Sequence, residues 1–195
     1  MHQRHKTKTI DLPDAENGVI AVISDTHGRP HPNLFSILTQ RHPSLILHAG
    51  DVGDLDLITE LEAVVRTIYV RGNVDPAGPL WPDSLAIRIK LEASLQFDLL
   101  LLHIAVTRLR LNREAAGLLR QSPAHIVVFG HSHVPFLGRD GKIALFNPGS
   151  AGPSRMGLPT TMGLIEISSG QLKFTHLDLR TGEQWKPTQN ELQST

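Results

Sequence analysis

The sequence contains no cysteine, and this absence excludes several kinds of functional site. Disulfide scaffolds, thiol nucleophiles, iron–sulfur clusters and zinc sites built from thiolates all require that residue. Any metal ion must therefore be bound by nitrogen and oxygen atoms. The length of 195 residues favours a single domain, which at this size is stable without a metal or a disulfide.

The chain also has no net charge, few aromatic residues and no long apolar run. Its 19 basic and 19 acidic residues argue against a protein whose main task is to coat duplex nucleic acid. The first 18 residues lack the apolar core of a signal peptide, and the longest apolar runs, at 99–102 and 126–129, are too short to span a bilayer. We therefore expect a cytoplasmic protein without membrane contact.

Apolar runs of strand length alternate with amphipathic segments in the first half of the chain. Residues 18–24, 45–48 and 67–71 are typical of buried parallel strands, and helices are predicted between them at 32–42 and 55–65. In this βαβαβ order the carboxyl ends of the strands meet at one edge of the sheet, where ligands bind.

The second half of the chain predicts a second sheet. A helical pattern covers residues 108–121, and the segment 124–130 is typical of another buried strand. Turn signals separate three pairs of strands, which are 84–91 with 95–103 across a turn at 92–94, 136–139 with 142–146 across Asp140-Gly141, and 160–168 with 171–179 across Ser169-Gly170. We expect one domain over residues 18–180, with polar tails at 1–17 and 181–195.

Side chains of metal-binding type follow the predicted strands. Each is a weak signal alone, because motifs such as Asp-x-His occur often by chance. Their repeated position after strands is a stronger signal, since folding brings the carboxyl ends of parallel strands to one edge. The set comprises Asp25, His27, Asp51, Asn73, His103, His131 and His133.

The chemistry of this set predicts a pair of metal ions. Four histidines, two carboxylates and one amide suit manganese, iron(II), zinc or nickel. With one shared carboxylate, seven side chains supply four ligands to each of two ions and leave positions for water or substrate. This is the composition of a two-metal hydrolytic site, with Asp51 as the natural bridge.

Short motifs carry these residues along the chain. They are, in order, Asp25-Thr26-His27, Gly50-Asp51, Gly72-Asn73-Val74-Asp75, His103 and Gly130-His131-Ser132-His133. The series closely resembles the pattern of the calcineurin-like metallophosphoesterase superfamily, and most of all its small bacterial and archaeal phosphodiesterase branch. In that branch the later Asn147-Pro148-Gly149-Ser150 also recurs, and we expect it to shape a turn close to the metals.

The resemblance implies an α/β fold, a four-layer α/β/β/α sandwich of two mixed sheets flanked by helices. It also implies how the ligands divide between two divalent ions. One ion is expected to be bound by Asp25, His27, Asp51 and His133, and the other by Asp51, Asn73, His103 and His131. Mn²⁺ is the favoured ion, and Fe²⁺, Ni²⁺ or Zn²⁺ are permitted by the ligand types.

The implied activity is hydrolysis of a small phosphodiester, or of a phosphomonoester, by a hydroxide held between the ions. Asp51, Asp75 and His103 are the predicted catalytic residues, and among them Asp75 is expected to orient a histidine rather than to bind metal. The residues expected to contact the substrate are Asn73, Arg71 and Arg155.

Two positions depart from the pattern of the superfamily. Many members have a histidine after the asparagine of the third motif to help the leaving group depart, whereas this chain has Val74. Since valine cannot donate a proton, activated esters are expected to react better than esters with poor leaving groups. The branch usually has glycine after the histidine of the fourth motif, whereas this chain has Ile104, which cannot adopt a positive φ without strain.

Two other functions stay open at this point. One is a non-catalytic scaffold, since the resemblance extends to a eukaryotic retromer subunit that uses this fold for protein contacts, although the complete ligand set favours catalysis. The other is a nuclease, which zero net charge and few aromatic residues restrict to short or cyclic nucleotides.

The other histidines lie outside the predicted site. His48 precedes the second motif and is expected either to support a ligand or to be a buried structural residue. Structural or solvated positions are expected for His2, His5, His31, His42, His125 and His176.

Overall fold

The computed structural model describes residues 5–12, 17–91, 96–155 and 157–186, which form a mixed α/β fold. The strands are β1 (His5–Leu12), β2 (Asn17–Ile23), β3 (Leu45–His48), β4 (Thr67–Tyr69), β5 (Ser84–Leu91), β6 (Gln96–Leu102), β7 (Val106–Thr107), β8 (Arg110–Leu111), β9 (Ile126–Val128), β10 (Pro135–Asp140), β11 (Ile143–Pro148), β12 (Thr161–Ser168) and β13 (Gln171–Asp178). The helices are α1 (Leu34–Arg41), α2 (Leu55–Val64) and α3 (Arg113–Gln121).

Two large sheets form the frame. One has six strands in the order β1-β5-β6-β9-β11-β10, and the other has five in the order β13-β12-β2-β3-β4. The neighbours β2, β3 and β4 are parallel, as are β6, β9 and β11, whereas β5 with β6, β10 with β11 and β12 with β13 are antiparallel. Both sheets are therefore mixed, and β7 with β8 forms a small separate ribbon.

Three apolar clusters stack these elements in four layers. In β2, Ile20 and Val22 belong to the cluster between the two sheets, while Ala21 and Ile23 pack with the buried faces of α1 and α2. This alternation buries both faces of the strand. The third cluster joins α3 to the outer face of the six-stranded sheet. The predicted four-layer α/β/β/α sandwich is confirmed.

Most of the predicted elements are confirmed, and local capping explains where the helices begin. The side chain of Asp54 accepts the Asp56 amide at the start of α2, and Asn112 accepts the Ala115 amide at the start of α3. The predicted turns between β10 and β11 and between β12 and β13 also join antiparallel pairs. None of the helices in the described residues is long and apolar enough to cross a membrane.

The predicted helix over 108–121 is wrong in its first turn. Residues 106–111 form the β7–β8 ribbon, and α3 begins only at Arg113. The helical pattern extends too far because the apolar residues before Asn112 fit the helical spacing, whereas the capping side chain of Asn112 starts the helix after them.

The predicted polar tail at residues 1–17 is wrong where the structure describes it. His5–Leu12 is the edge strand β1, paired in parallel with β5 along its whole length. Ile10 and Leu12 are buried, whereas residues 6–9 are exposed, so pairing of the backbone holds most of this strand.

Part of the predicted tail at 181–195 is folded as well. Residues 181–186 return along β13, where the Trp185 amide donates to the His176 carbonyl oxygen at 2.8 Å. The predicted segments that lie outside the described residues are 1–4, 13–16, 187–195 and the turn at 92–94.

The predicted ligands lie at one edge of both sheets. In the five-stranded sheet, β2, β3 and β4 end just before Asp25, Asp51 and Asn73. In the six-stranded sheet, β6 and β9 end just before His103 and His131. The site is therefore built where the carboxyl ends of strands from two packed sheets meet.

Candidate metal centre

Several predicted ligands lie on tight turns that follow the strands. Asp25, His27, Asp51, His131 and His133 all have a positive φ, between 51° and 70°. Residues other than glycine rarely adopt this conformation, and aspartate, asparagine and histidine tolerate it best. Because the surrounding structure must hold such residues in place, they cluster at functional sites.

Two carboxylates form the middle of the cluster. Asp51 Oδ2 lies 3.4 Å from His103 Nε2 and 3.7 Å from His27 Nε2. Asp25 Oδ1 lies 3.4 Å from His133 Nε2, and the His133 ring stacks on that of His27. Two overlapping groups of ligand atoms can each surround an ion, Asp25 with His27 and His133, and Asp25 with Asp51 and His103.

The remaining two predicted ligands, Asn73 and His131, lie beside His103. Asn73 Nδ2 is 3.3 Å from His131 Nδ1, and the rings of His103 and His131 meet edge to face at 5.3 Å. The structure thus brings all seven predicted side chains together. Asp25 belongs to both groups of ligand atoms, whereas the resemblance makes Asp51 the shared ligand, and Asp51 Oδ2 approaches one histidine of each predicted set.

Unpaired buried atoms show that this cluster fits a cation. Asp25 Oδ1, His103 Nε2 and His133 Nδ1 are buried and have no hydrogen-bond partner within the part of the chain that the structure describes. An unpaired buried polar atom costs about 1–3 kcal/mol. Metal ions accept the lone pairs of carboxylate oxygens and neutral imidazole nitrogens. Asp25 Oδ1 and His103 Nε2, which face other members of the cluster, therefore agree with a metal centre.

His103 is held in the orientation that a metal ligand needs. Its Nδ1 donates a hydrogen bond to the Ala49 carbonyl oxygen at 2.8 Å, which directs Nε2 toward Asp51. Gly50 permits this approach, because a Cβ there would lie 2.7 Å from His103 Nδ1. Burial acts to lower the pKa of His103, but Asp51 and the Ala49 carbonyl outweigh it and raise the pKa above its usual value.

The pKa values of the Asp25 and Asp51 carboxyl groups are shifted in opposite directions. Burial raises the pKa of Asp25 to about 6, and the negative charge of Asp51 adds to the effect. Burial also acts to raise the pKa of Asp51, but His103 and the Val74 amide, which donates to Asp51 Oδ1 at 3.0 Å, lower it well below its usual value. Asp51 is therefore ionised at neutral pH.

Burial keeps three of the histidines neutral at the pH of a cell. It lowers the pKa of His27 and His131 below the ordinary value, and together with the Arg155 charge it lowers the pKa of His133 to about 4. Neutral imidazole is the form that binds metal, so these side chains need not lose a proton first.

Comparisons with known proteins place this cluster in a family. A model described as the calcineurin-like phosphoesterase superfamily domain matches residues 19–170, more than half of the chain. The chain belongs to the calcineurin-like phosphoesterase superfamily. A probable metallophosphoesterase of Methanothermobacter thermautotrophicus is 33% identical over 153 residues, which are 75% of this chain and 84% of the relative.

Solved structures share the superfamily fold with this chain. Vacuolar protein sorting 29 from Cryptosporidium parvum has a TM-score of 0.69 at 18% identity, over 87% of this chain and 95% of that protein. An archaeal phosphodiesterase has a TM-score of 0.60 at 21% identity, over 82% of this chain and 99% of that protein. At these identities the likeness shows the fold alone, and the chemistry has to be argued from the site.

Asp75 in this member of the superfamily has partners other than the predicted histidine. Its carboxylate accepts hydrogen bonds from the amides of Val52, Gly53 and Gly72 at 3.1, 2.8 and 2.7 Å. These amides belong to the loops that carry predicted ligands after β3 and β4. Asp75 therefore holds two ligand loops together through the backbone, and the prediction that it orients a histidine is not what the structure shows.

His48 forms hydrogen bonds with the loops that carry Asp25 and Asp51. Its Nδ1 accepts the Gly50 amide at 3.2 Å, and its Nε2 lies 2.9 Å from Thr26 Oγ1, which donates to the Val52 carbonyl oxygen at 3.0 Å. Because Thr26 directs its proton to Val52, Nε2 of His48 is the donor. Burial lowers the pKa of His48 to about 3, so a neutral ring braces the loops that carry Asp25 and Asp51.

The two arginines predicted to bind substrate have different surroundings. Arg155 Nη2 lies 3.2 Å from His27 Nε2, so its guanidinium borders the ligand cluster. Arg71 Nε pairs with Asp83 Oδ1 at 2.7 Å. The guanidinium of Arg71 is thus engaged by a carboxylate, and Arg155 is the stronger candidate for a phosphate contact.

The two departures from the superfamily pattern also differ in outcome. Val74 is 55% exposed, so the position after Asn73 has room for a larger side chain. Ile104 is not among the residues with positive φ, so the expected strain does not arise there. Ile104 therefore leaves His103 free to keep its contact with Ala49.

Sequence reasoning missed residues that hold Asp25. Ser150 Oγ donates to the Asp25 carbonyl oxygen at 3.0 Å, and Ser24 Oγ donates to the Gly50 carbonyl oxygen at 3.4 Å. A Cβ on Gly130 would overlap Ser24 Oγ and lie 2.7 Å from Asp25 Oδ2, so this position needs glycine. The motif ending at Ser150 was the available signal. Its predicted position beside the site is confirmed, but the predicted turn is wrong, because Asn147 and Pro148 end β11 and Ser150 forms a bridge with Thr160.

Proposed function

We propose that this chain is a phosphodiesterase that depends on two divalent metal ions and hydrolyses a small phosphodiester. The convergence of seven nitrogen and oxygen ligands, in which buried Asp25 Oδ1 and His103 Nε2 have no described hydrogen-bond partner, carries the proposal. Membership of the superfamily supports phosphoester chemistry. The archaeal phosphodiesterase of the same fold agrees with a diester as the substrate.

The resemblance assigns Asp25, His27 and His133 to one ion and Asn73, His103 and His131 to the other, with Asp51 shared. The approach of Asp51 Oδ2 to His27 and to His103, one histidine of each set, supports this assignment. Bound divalent ions, with Mn²⁺ favoured over Fe²⁺, Ni²⁺ and Zn²⁺, supply Lewis acidity and a hydroxide nucleophile near neutral pH. A bound cation would favour the ionised form of Asp25 and so oppose the effect of burial, which raises its pKa to about 6.

The protein side chains leave the centre attractive to an anion. The ligand set contains two carboxylates, a neutral amide at Asn73 and histidines whose pKa values burial mostly lowers. Two carboxylate charges do not cancel the charge of two divalent ions. A phosphate group is therefore drawn to the site although the chain has no net charge.

Arg155 is positioned to bind a phosphoryl oxygen. Its guanidinium stays charged at all ordinary pH values and lies against His27 at the rim of the cluster. There it can orient the substrate and offset negative charge that develops on the phosphoryl oxygens.

Replacing Arg155 by methionine should raise KM for a diester about 10-fold and lower kcat less, because one charge-assisted hydrogen bond to the substrate is lost. Steady-state kinetics with an activated diaryl phosphate measure both constants. Arg139→Met on β10 removes a surface guanidinium as the matched control. Equal kinetics for the two variants would show that Arg155 does not contact the substrate.

Metal removal and reconstitution test the proposal as a whole. Protein stripped with a chelator should lose hydrolysis of an activated diaryl phosphate and regain it with Mn²⁺, because the predicted ligands supply no nucleophile by themselves. The aryl monoester is assayed in parallel, and metal content is measured by elemental analysis. Two bound ions per chain with turnover of the diester is the expected result.

A protein that binds two ions but turns over neither ester would contradict the proposal. The ligand set would then serve a non-catalytic scaffold, and metal-dependent binding to a protein partner would replace hydrolysis as the activity. Cleavage restricted to short or cyclic nucleotides would instead narrow the substrate class to nucleotides.

A further inference from the structure

Residues 181–186, here called the return segment, fold back along the edge strand β13. The Asp178 amide donates to the Glu183 carbonyl oxygen at 2.9 Å, and Leu177 and Gln184 form an antiparallel bridge. Arg41 Nη2 of α1 donates to the Gly182 carbonyl oxygen at 2.7 Å. The return segment is thus bound on two sides by the domain.

The return segment covers a buried histidine that the proposed reaction does not use. The Trp185 amide donates to the carbonyl oxygen of His176, and the two rings meet edge to face with centroids 5.9 Å apart. The His176 ring also packs against the Phe146 ring, with centroids 4.9 Å apart. His176 Nε2 donates a hydrogen bond to the Asn147 carbonyl oxygen at 2.7 Å.

Asn147 connects this histidine to the metal centre. Its side-chain amide donates to the Gly130 carbonyl oxygen at 2.8 Å and to Ser132 Oγ at 3.1 Å. Gly130 and Ser132 flank the predicted ligand His131, and Ser132 precedes the predicted ligand His133. The Asn147 side chain is therefore hydrogen-bonded to both residues that flank His131.

The superfamily match ends at residue 170, so His176 and the return segment lie beyond it. We propose that His176 is a positioning residue for the metal centre: through Asn147 it fixes the loop that carries His131 and His133, and Trp185 keeps it in place. The inference rests on the proposed function only in so far as these histidines bind metal.

Zinc affinity measured by calorimetry on the chelated full chain tests this role, with zinc alone as the probe. His176→Phe keeps an aromatic ring but removes the N–H donor, and we expect its zinc affinity to fall about 10-fold, the lower end of the range for partners outside the ligand shell. His176→Gln retains an N–H at similar reach and should restore affinity to within about 3-fold of the original protein.

The adjacent position on β13 provides a matched control. Thr175→Val removes a partly buried hydrogen bond to Glu166 Oε2, 3.0 Å long, and should leave zinc affinity unchanged. Equal loss in Thr175→Val and His176→Phe would show that β13 has only a general structural effect. Unchanged affinity in His176→Phe, with the variant folded by circular dichroism, would overturn the inference.

If His176 affects zinc binding, zinc binding should in turn affect the surroundings of His176 and Trp185, because such coupling is reciprocal. The chain has two tryptophans, so Trp81→Phe leaves Trp185 as the single tryptophan, which is excited selectively at wavelengths that tyrosine does not absorb. Zinc should change its fluorescence, and His176→Phe in the same background should abolish that response. No response in the parent would count against the inference.

The two proposals fail in different ways. If zinc affinity depends on His176 as expected but no phosphoester is cleaved, the positioning role stands and the proposed activity is wrong. If the diester is cleaved and His176→Phe leaves the zinc affinity unchanged, the proposed activity stands and the positioning role is wrong.

Discussion

Replacing Asp51 by asparagine is expected to slow phosphodiester hydrolysis about 10³-fold, a loss of ~4 kcal/mol in transition-state stabilisation. Asp51 Oδ2 is the atom that approaches both His103 and His27, at 3.4 and 3.7 Å. Asparagine keeps the size of the side chain and an oxygen for the Val74 amide, but it cannot offer two anionic oxygens to a pair of ions. The measurement is kcat/KM for an activated diaryl phosphate with saturating Mn²⁺.

Loss of folding is a separate cause that has to be measured. Although burial acts to raise the pKa of Asp51, His103 and the Val74 amide favour its ionised form and lower that pKa, so Asp51→Asn removes a favourable interaction from the metal-free protein. Thermal unfolding of metal-free Asp51→Asn should therefore start at a lower temperature than that of the parent, and the activity is compared below that temperature. A chelated sample of each protein compared by circular dichroism gives this measurement.

A second isosteric variant isolates the position of the lost charge. Asp54→Asn removes a carboxylate charge in the same loop, and asparagine caps α2 about as well as aspartate does. This variant should keep the rate of the parent. Retention of most of the activity by metal-loaded Asp51→Asn would rule out Asp51 as the shared ligand.

The ligands of the site could be predicted more completely than the secondary structure around it. Every predicted ligand is a polar residue in the loop that follows a strand, within five residues of the end of that strand. Strands such as β2 and β3 can be predicted because they are continuous apolar runs. Their shared edge then follows from the βαβ order alone. Thus the position of Asp25 and Asp51 next to each other could be derived without any contact being known.

The elements that were missed have weak patterns for physical reasons. In β1, residues 6–9 are exposed and polar, so nothing in their hydropathy marks them as a strand, and the parallel pairing with β5 is a tertiary fact. In the ribbon before α3, strands of two residues are too short for any periodicity. The signal available there was Asn112, a residue that favours the start of a helix.

The support of the site was the least predictable part. Asp75 holds two loops together by accepting hydrogen bonds from backbone amides. Every residue type except proline has such an amide, so the sequence does not show which of them bind Asp75. Ser150 and Asn147 act across strands that are distant along the chain. Such contacts depend on how the two sheets pack together. A sequence pattern predicts the fold class but not the individual contacts between the sheets.

Replacing Val74 by histidine should raise hydrolysis of alkyl phosphomonoesters, which have poor leaving groups, about 10²-fold, since a positioned proton donor contributes at least that much. The side chain follows the predicted ligand Asn73 and is 55% exposed, so an imidazole fits without displacing the core. The Val74 amide that donates to Asp51 Oδ1 is part of the backbone and is kept. Activated aryl diesters should gain little, because their leaving groups depart without a proton.

The pH dependence separates proton donation from a mere change of shape. In Val74→His the rate with the alkyl monoester should fall at high pH as the new imidazole, with an ordinary pKa near ~6.5, loses its proton. Val74→Gln donates a hydrogen bond but cannot release a proton. This variant should show neither the higher rate with the alkyl monoester nor the fall of that rate at high pH. An equal gain in both variants would mean that added polarity next to Asn73 is sufficient. No gain in either would mean that departure of the leaving group does not limit the rate of the proposed hydrolysis.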